Sequence, residues 1–229
     1  MKSNSFVRGL TTKLKKKKGR KLSSTTWLNR QLNDPYVREA EVRGYKSRAA
    51  FKLIEIDDRF RFLKPGLKVV DLGAAPGGWT QVALERVGSN GKVISLDKQE
   101  GWDGVSGAIC IKMDFTSDLA LEELLKASNG SVDIVLSDMA ASSTGHSKTD
   151  HLRIMGLAEH AWDFAYQILS SKGVFICKVL QGGAEGSLLQ EIKKSFITVK
   201  HVKPPSSRKD SSEMYLFRSE ERRVGKECR

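Results

Sequence analysis

A doubly wound α/β fold, with a mostly parallel seven-stranded sheet and helices on both faces, is predicted by three features of the 229-residue chain. An apolar run over residues 68–72 ends in a glycine-rich turn, Gly73-Ala74-Ala75-Pro76-Gly77-Gly78, that opens onto a helix. Strand-length apolar runs then alternate with helix-length segments, the rhythm of a parallel sheet with crossover helices. Acidic residues close the first runs, at the carboxyl edge where such sheets bind ligands. The chain is 39% hydrophobic, enough for one α/β domain with a full core and appendages.

Residues 1–30 hold ten Lys and Arg and no acid. That composition fits a disordered basic arm that neutralises phosphates without reading sequence. A solvated tail with no partner is an alternative, and so is an organelle transit peptide, although those favour Arg over a run such as Lys15-Lys16-Lys17-Lys18. The formal charge of +12 resides at the two ends, ten units in residues 1–30 and two in 218–229, which leaves residues 31–217 neutral. A basic arm on a neutral body suits a polyanion, RNA or DNA.

From Asp34 to Phe62 the apolar spacing is helical, with a break near Gly44. Arg48 and Lys52 lie one helical turn apart there, facing either a substrate or solvent. Lys64-Pro65-Gly66 turns the chain into the first strand. Gly73, Gly77 and Gly78 then let the backbone pass close to a ligand, and the helix over 79–87 points its free amides at the same place. Further strands are predicted over 92–97, 108–111, 132–138, 173–179, 199–202 and 213–217, with helices over 119–127, 152–169 and 185–196. Residues 218–229 lack apolar periodicity and resemble a translated sequencing adapter, so the domain is predicted to span 31–217.

No apolar run approaches the roughly 20 residues of a membrane helix, and no signal-peptide pattern is present. Cys110, Cys177 and Cys228 show no paired spacing, which argues against a disulfide framework or a metal site and fits a reducing cytoplasm.

The strand ends carry Asp71 with Gly73, then Asp97, Asp114, Asp138 and Lys178. An acid at the position of Asp97 accepts ribose hydroxyls in nucleotide-binding folds. Asp114 either accepts from an adenine amino group or caps the segment after Phe115. Lys178 lies inside an apolar run, where staying charged is costly, and a functional amine is the preferred reading. The turn also fits a loose dehydrogenase pattern, but Pro76, Asp71 within the strand and the lack of a second catalytic domain speak against that.

Asp71-Leu72-Gly73-Ala74-Ala75-Pro76-Gly77-Gly78-Trp79, Ser137-Asp138-Met139-Ala140, Cys177-Lys178-Val179-Leu180-Gln181-Gly182 and Pro204-Pro205-Ser206-Ser207-Arg208 with Glu213-Met214-Tyr215 resemble the FtsJ/RrmJ family, in order, from about Trp27 to Phe217. The resemblance implies a Rossmann-like, S-adenosylmethionine-dependent methyltransferase acting on the ribose 2′-hydroxyl of RNA. For the bacterial type the target is a uridine of large-subunit ribosomal RNA, and the partner is that RNA or the large subunit. The family's catalytic tetrad falls on Lys52, Asp138, Lys178 and Glu213. Its cofactor contacts fall on Gly77, Trp79, Asp97, Asp114 and Asp138. Ala141 and Ser142 depart from the proline and asparagine of many members, in a loop that borders the substrate.

Transfer would be an in-line displacement in which Lys178 serves as general base, which needs a pKa well below the ordinary lysine value of about 10.4. Lys52 would push that pKa down and Asp138 and Glu213 would push it up; a Lys178 that stayed protonated would instead stabilise the developing alkoxide. The arm, Arg48, Lys200, Lys203, Arg208 and Lys209 would hold phosphates. A monomer is expected. Rival readings are a small-molecule O-methyltransferase, which needs no basic arm, and a non-catalytic RNA-binding protein, which needs no tetrad.

Overall fold

The computed structural model describes residues 22–222 except 142–143, 182–189, 191 and 193–195. Seven strands form one sheet in the order β3-β2-β1-β4-β5-β7-β6. They are β1 (Lys68–Leu72), β2 (Lys92–Asp97), β3 (Ile109–Lys112), β4 (Val132–Ser137), β5 (Leu169–Leu180), β6 (Phe196–Val202) and β7 (Glu213–Arg222). Neighbours from β3 to β5 run parallel, whereas β7 is antiparallel to both β5 and β6. The mostly parallel seven-stranded reading therefore holds.

Strand alternation sorts the core into two layers. Val70, Leu72, Ile94, Leu96, Val135 and Phe175 face α5 (Asp118–Ser128) and α6 (Ser147–Ile168), meeting Leu124 and Trp162. Val69, Val93, Ile134, Leu136 and Ile176 face α3 (Ala50–Phe60) and α4 (Gly78–Val87), meeting Leu53, Ile56 and Val82. Each such side chain contributes about 1.5–3 kcal/mol by leaving water, so a strand with both faces apolar cannot remain at the surface. Ahead of the sheet lie α1 (Leu22–Leu32) and α2 (Pro35–Arg43). Asp34 caps α2 by accepting from the Tyr36 amide, and α2 ends at Gly44, whose N–H returns to the carbonyls of Ala40 and Glu41.

Two predicted boundaries move. Helix α1 crosses residue 30, so the basic segment is not wholly an unstructured arm; its residues 1–21 lie outside those described. Strand β7 continues past Phe217 to Arg222, which places Arg218 within the domain. Arg218 pairs with Phe175 and Val199 in the ladders, is fully buried, and stacks its guanidinium 5.4 Å from the Trp162 ring centroid. The helix predicted over 185–196 falls almost entirely outside the described residues. No described helix is long and apolar enough to cross a membrane.

Candidate active site

The carboxyl ends of β1, β2 and β4 surround a cavity of about 610 Å³ lined by Gly73, Asp97, Asp114, Phe115, Asp138 and Met139 among others. Gly73 lines it, whereas Gly77 does not and is kept bare by its own close packing. Gly73 has φ +73°, and a Cβ there would meet the Met139 side chain at 2.5 Å. Gly77 has φ +118°, and a Cβ would press into Val105 and the stem of Lys46. Both positions demand a residue without a side chain.

Asp97 fixes the turn itself, its Oδ2 accepting from the Ala75 amide at 2.9 Å and its Oδ1 from the Gln99 amide at 2.8 Å. Asp114 accepts from Lys98 Nζ at 2.8 Å and from the amide and hydroxyl of Thr116 at 3.0 and 2.8 Å. The Lys98 bond first, then those from Thr116, hold its carboxyl down at about 2. Asp114 thus ties the turn after β3 and lines the cavity at once. The lining combines the carboxylates of Asp97, Asp114 and Asp138, the cations Lys98 and Arg153, and an apolar wall of Met113, Phe115 and Leu157, a mix that suits a ligand with an apolar body and polar ends.

The structure does not aim the Trp79 side chain at this cavity. Its indole is buried, donates to the Ala49 carbonyl at 2.8 Å and packs on Tyr215 at 5.5 Å between centroids. An aromatic at the first turn of α4 faces α3, and neither Gly77 nor Trp79 is among the residues that line the cavity.

Beside the cavity four predicted residues converge. Lys178 Nζ donates to Asp138 Oδ1 at 2.9 Å and to the Asp138 carbonyl at 2.7 Å. Lys52 Nζ lies 2.6 Å from Glu213 Oε1 and 4.0 Å from Asp138 Oδ1. Topology assembles them: Asp138 follows β4, Lys178 sits on the adjacent β5, Glu213 opens β7 opposite Leu180, and Lys52 comes from α3. Tyr215, quoted in the motif without a role, joins them by donating to Asp138 Oδ1 at 2.7 Å. Period-2 spacing from Glu213 puts Tyr215 on the same strand face, which is the signal that could have found it.

Burial pulls the Lys178 ammonium toward neutrality, but the carboxylates of Asp138 and Glu213 outweigh it and hold its pKa above the ordinary lysine value. Burial likewise pushes Asp138 up, and Lys178, Lys52 and Tyr215 together bring it below the usual carboxylate range. The acids win the contest left open by the sequence: Lys178 donates directly to Asp138, and Glu213 meets the charge of Lys52 at 2.6 Å.

Of the predicted phosphate contacts, Arg48 is engaged internally. Its Nε lies 3.1 Å from Asp34 Oδ2, its Nη2 donates to the Ser206 carbonyl, and it sits over the Tyr36 ring. Arg208 shares Asp34 at 3.5 Å, and Lys203 donates to the carbonyls of Lys209 and Ser211. Lys200 lies over Phe60, and it and Lys209 are exposed.

A doubly wound sheet with an antiparallel seventh strand and a ligand cavity at its first switch point defines a Rossmann-like methyltransferase. Within that class the chain belongs to the FtsJ-like methyltransferase family, whose model matches residues 45–220. It is 58% identical over 214 residues to ribosomal RNA large subunit methyltransferase E of Rhodospirillum rubrum, covering 92% of this chain and 81% of the relative. Identity is also 58% over 214 residues to the protein of that name from Paramagnetospirillum magneticum, covering 91% and 87%. A crystal structure of a Plasmodium falciparum protein described as a ribosomal RNA methyltransferase matches with a TM-score of 0.67 and 32% identity, covering 77% of this chain and 98% of that one. The family implies a donor of the S-adenosylmethionine type.

Proposed function

We propose that this protein transfers a methyl group from S-adenosylmethionine to the 2′-hydroxyl of a ribose, a uridine of 23S-type ribosomal RNA, acting as a cytoplasmic monomer during large-subunit maturation. The observation that carries the reading is the double duty of Asp138, which lines the donor cavity and holds Lys178 at 2.9 Å. Donor and acceptor sites thus share one side chain, as transfer between them requires. The names of the relatives support ribosomal RNA as the substrate.

Bound in the cavity, a sulfonium donor supplies an activated methyl and a neutral leaving group. Asp97 and Asp114 would hold the adenosine half, and the first-turn amides of α4 at Gly77 and Trp79 would face its carboxylate. Lys178 meets the sugar oxygen as an ammonium and stabilises its developing negative character, while Asp138 and Glu213 stand ready to receive the proton that the hydroxyl loses. Lys52 and Tyr215 keep those acids in place. Lys200 and Lys209, with the basic segment of residues 1–30, would contact phosphates.

The test is mass mapping of ribose methylation in large-subunit RNA from cells with and without this gene, joined to transfer of labelled methyl to that RNA in vitro. One lost modification, restored by the purified protein, is the expected result. An unchanged ribose map would overturn the reading.

A further inference from the structure

Ser206 and Ser207 lie in the loop between β6 and β7, and both are buried, at 1% and 6% exposure. All three polar groups of Ser206 are held by residues in or just before α3. Its amide and hydroxyl donate to Glu55 Oε2 at 2.7 and 2.6 Å, and its carbonyl accepts from Arg48 Nη2. Glu55 is itself held by the Tyr36 hydroxyl at 3.2 Å, and Arg48 by Asp34 at 3.1 Å. A residue fixed through amide, hydroxyl and carbonyl leaves its successor little backbone freedom.

That successor, Ser207, donates its hydroxyl to Glu213 Oε1 at 3.2 Å. The same oxygen receives Lys52 at 2.6 Å. Lys52 and Glu55 are three residues apart on α3, so one helix face grips the loop through Glu55 and the catalytic acid through Lys52. With 6% exposure, Ser207 has no surface to offer an RNA phosphate, which leaves Glu213 as the object of its hydroxyl.

We infer that Ser207 is a positioning residue for methyl transfer: the Glu55–Ser206–Arg48 clamp presents its hydroxyl to Glu213 and fixes that carboxylate against Lys52. The inference rests on Lys52, Asp138, Lys178 and Glu213 being the reacting cluster. A free Glu213 carboxylate has rotamers pointing away from Lys52, and the serine bond selects the one that completes the cluster. The device acts on the chemical step and leaves the donor cavity untouched, because neither Ser207 nor Glu213 lines it.

The test compares Ser207→Ala, Ser207→Thr, Glu213→Gln, the double variant Ser207→Ala/Glu213→Gln, and Lys178→Ala in the full-length chain. Single-turnover transfer to large-subunit RNA, donor binding by calorimetry and thermal melting are measured for each. Ser207→Ala should lower the rate of transfer about tenfold, with donor Kd and the RNA concentration for half-maximal single-turnover rate unchanged within twofold. Ser207→Thr should recover most of that rate. The double variant should be no slower than Glu213→Gln alone, since a serine that acts only through Glu213 has nothing left to position. A tenfold loss that persists in the Glu213→Gln background, or a Ser207→Ala enzyme at full rate, overturns the inference. Active Lys178→Ala would instead overturn the cluster on which it rests.

Discussion

Lys178 and Tyr215 face each other across the β5–β7 ladder, and both donate to the same oxygen of Asp138, at 2.9 and 2.7 Å. Two donors on one carboxylate oxygen keep Asp138 ionised inside the sheet, where a lone carboxylate would take up a proton. Alongside the pull of Lys52 from α3, the cluster owes its charge state to an antiparallel register that makes residue 215 the partner of residue 178.

Removing the phenol tests this directly. Tyr215→Phe keeps the ring against Trp79 and deletes one bond to a charged acceptor, which costs about 1.5–3 kcal/mol. Transfer should slow about tenfold or more, and the melting temperature should fall. A variant with full rate and unchanged melting would show that Lys178 and Lys52 sustain Asp138 without the phenol.

The pH dependence of transfer separates the two roles open to Lys178. Its pKa lies above 10.5 because Asp138 and Glu213 outweigh burial, so the ammonium is the resident form across the neutral range. An ammonium that stabilises the sugar oxygen gives a rate that is flat from pH 7 to 9. A base working from its deprotonated minority gives a tenfold rise per pH unit over the same span. The stabilisation from the pair has a matching window: it is complete below the unfolded lysine value and is lost as pH rises through the higher folded one. A rate profile of unit slope in single-turnover assays would assign the base role.

Much of this arrangement is legible in the chain. Parallel strands buried on both faces announce themselves as short apolar runs, and an acid or amine at their ends needs only the sheet to be brought together. What is not legible depends on which of several near neighbours a side chain reaches. Arg48 and Lys52 are both cations in one basic segment, yet Asp34 captures the first and Glu213 the second. Trp79 follows the glycine turn as a cavity wall would, but its indole reaches the Ala49 carbonyl on the other side. Arg218 reads as the start of a polar tail because its burial requires Trp162, which is 56 positions earlier.

Asp71 offers a stability test independent of transfer. It is fully buried on β1, accepts from Thr80 Oγ1 at 2.7 Å, and lies in the field of Asp138 and Asp97. Burial above all, opposed by the Thr80 bond and reinforced by the two acids, lifts its pKa from 3.8 to about 7. With the folded value raised, the native state binds the proton more tightly than the unfolded chain, so stability falls as pH rises from about 4 through 7. The span is on the order of 4 kcal/mol. Asp71→Asn keeps an acceptor for Thr80 and removes the charge, so its advantage over the native chain in thermal melts should grow between pH 5 and pH 8. An advantage that stays constant with pH would place the ionised carboxylate in an environment that tolerates it.

Arg48 serves the fold more than the RNA. Arg48→Ala takes away a mostly buried guanidinium that joins Asp34 to the Ser206 carbonyl, and breaking such a pair costs about 3 kcal/mol. Melting should shift down by several degrees, while the salt dependence of RNA binding stays as it was. A shallower salt slope with unchanged melting would return Arg48 to the phosphate-binding surface.

The basic segment should show the reverse pattern. Residues 1–21 carry nine Lys and Arg and no acid, and the neutral body supplies no comparable excess. Each phosphate contact releases counterions and adds about 0.7–0.9 to the slope of log affinity against log salt. Deleting residues 1–21 should therefore make that slope shallower by several units and weaken RNA binding by on the order of a hundredfold near 0.1 M salt. Donor affinity should not change, because the cavity is built entirely from residues 73–160. Anisotropy titrations of a labelled large-subunit RNA fragment at four or more salt concentrations, on full-length and truncated chains, give both quantities. Equal slopes for the two chains would mean that the exposed lysines of the body, Lys200 and Lys209 among them, carry the phosphate contacts without the segment.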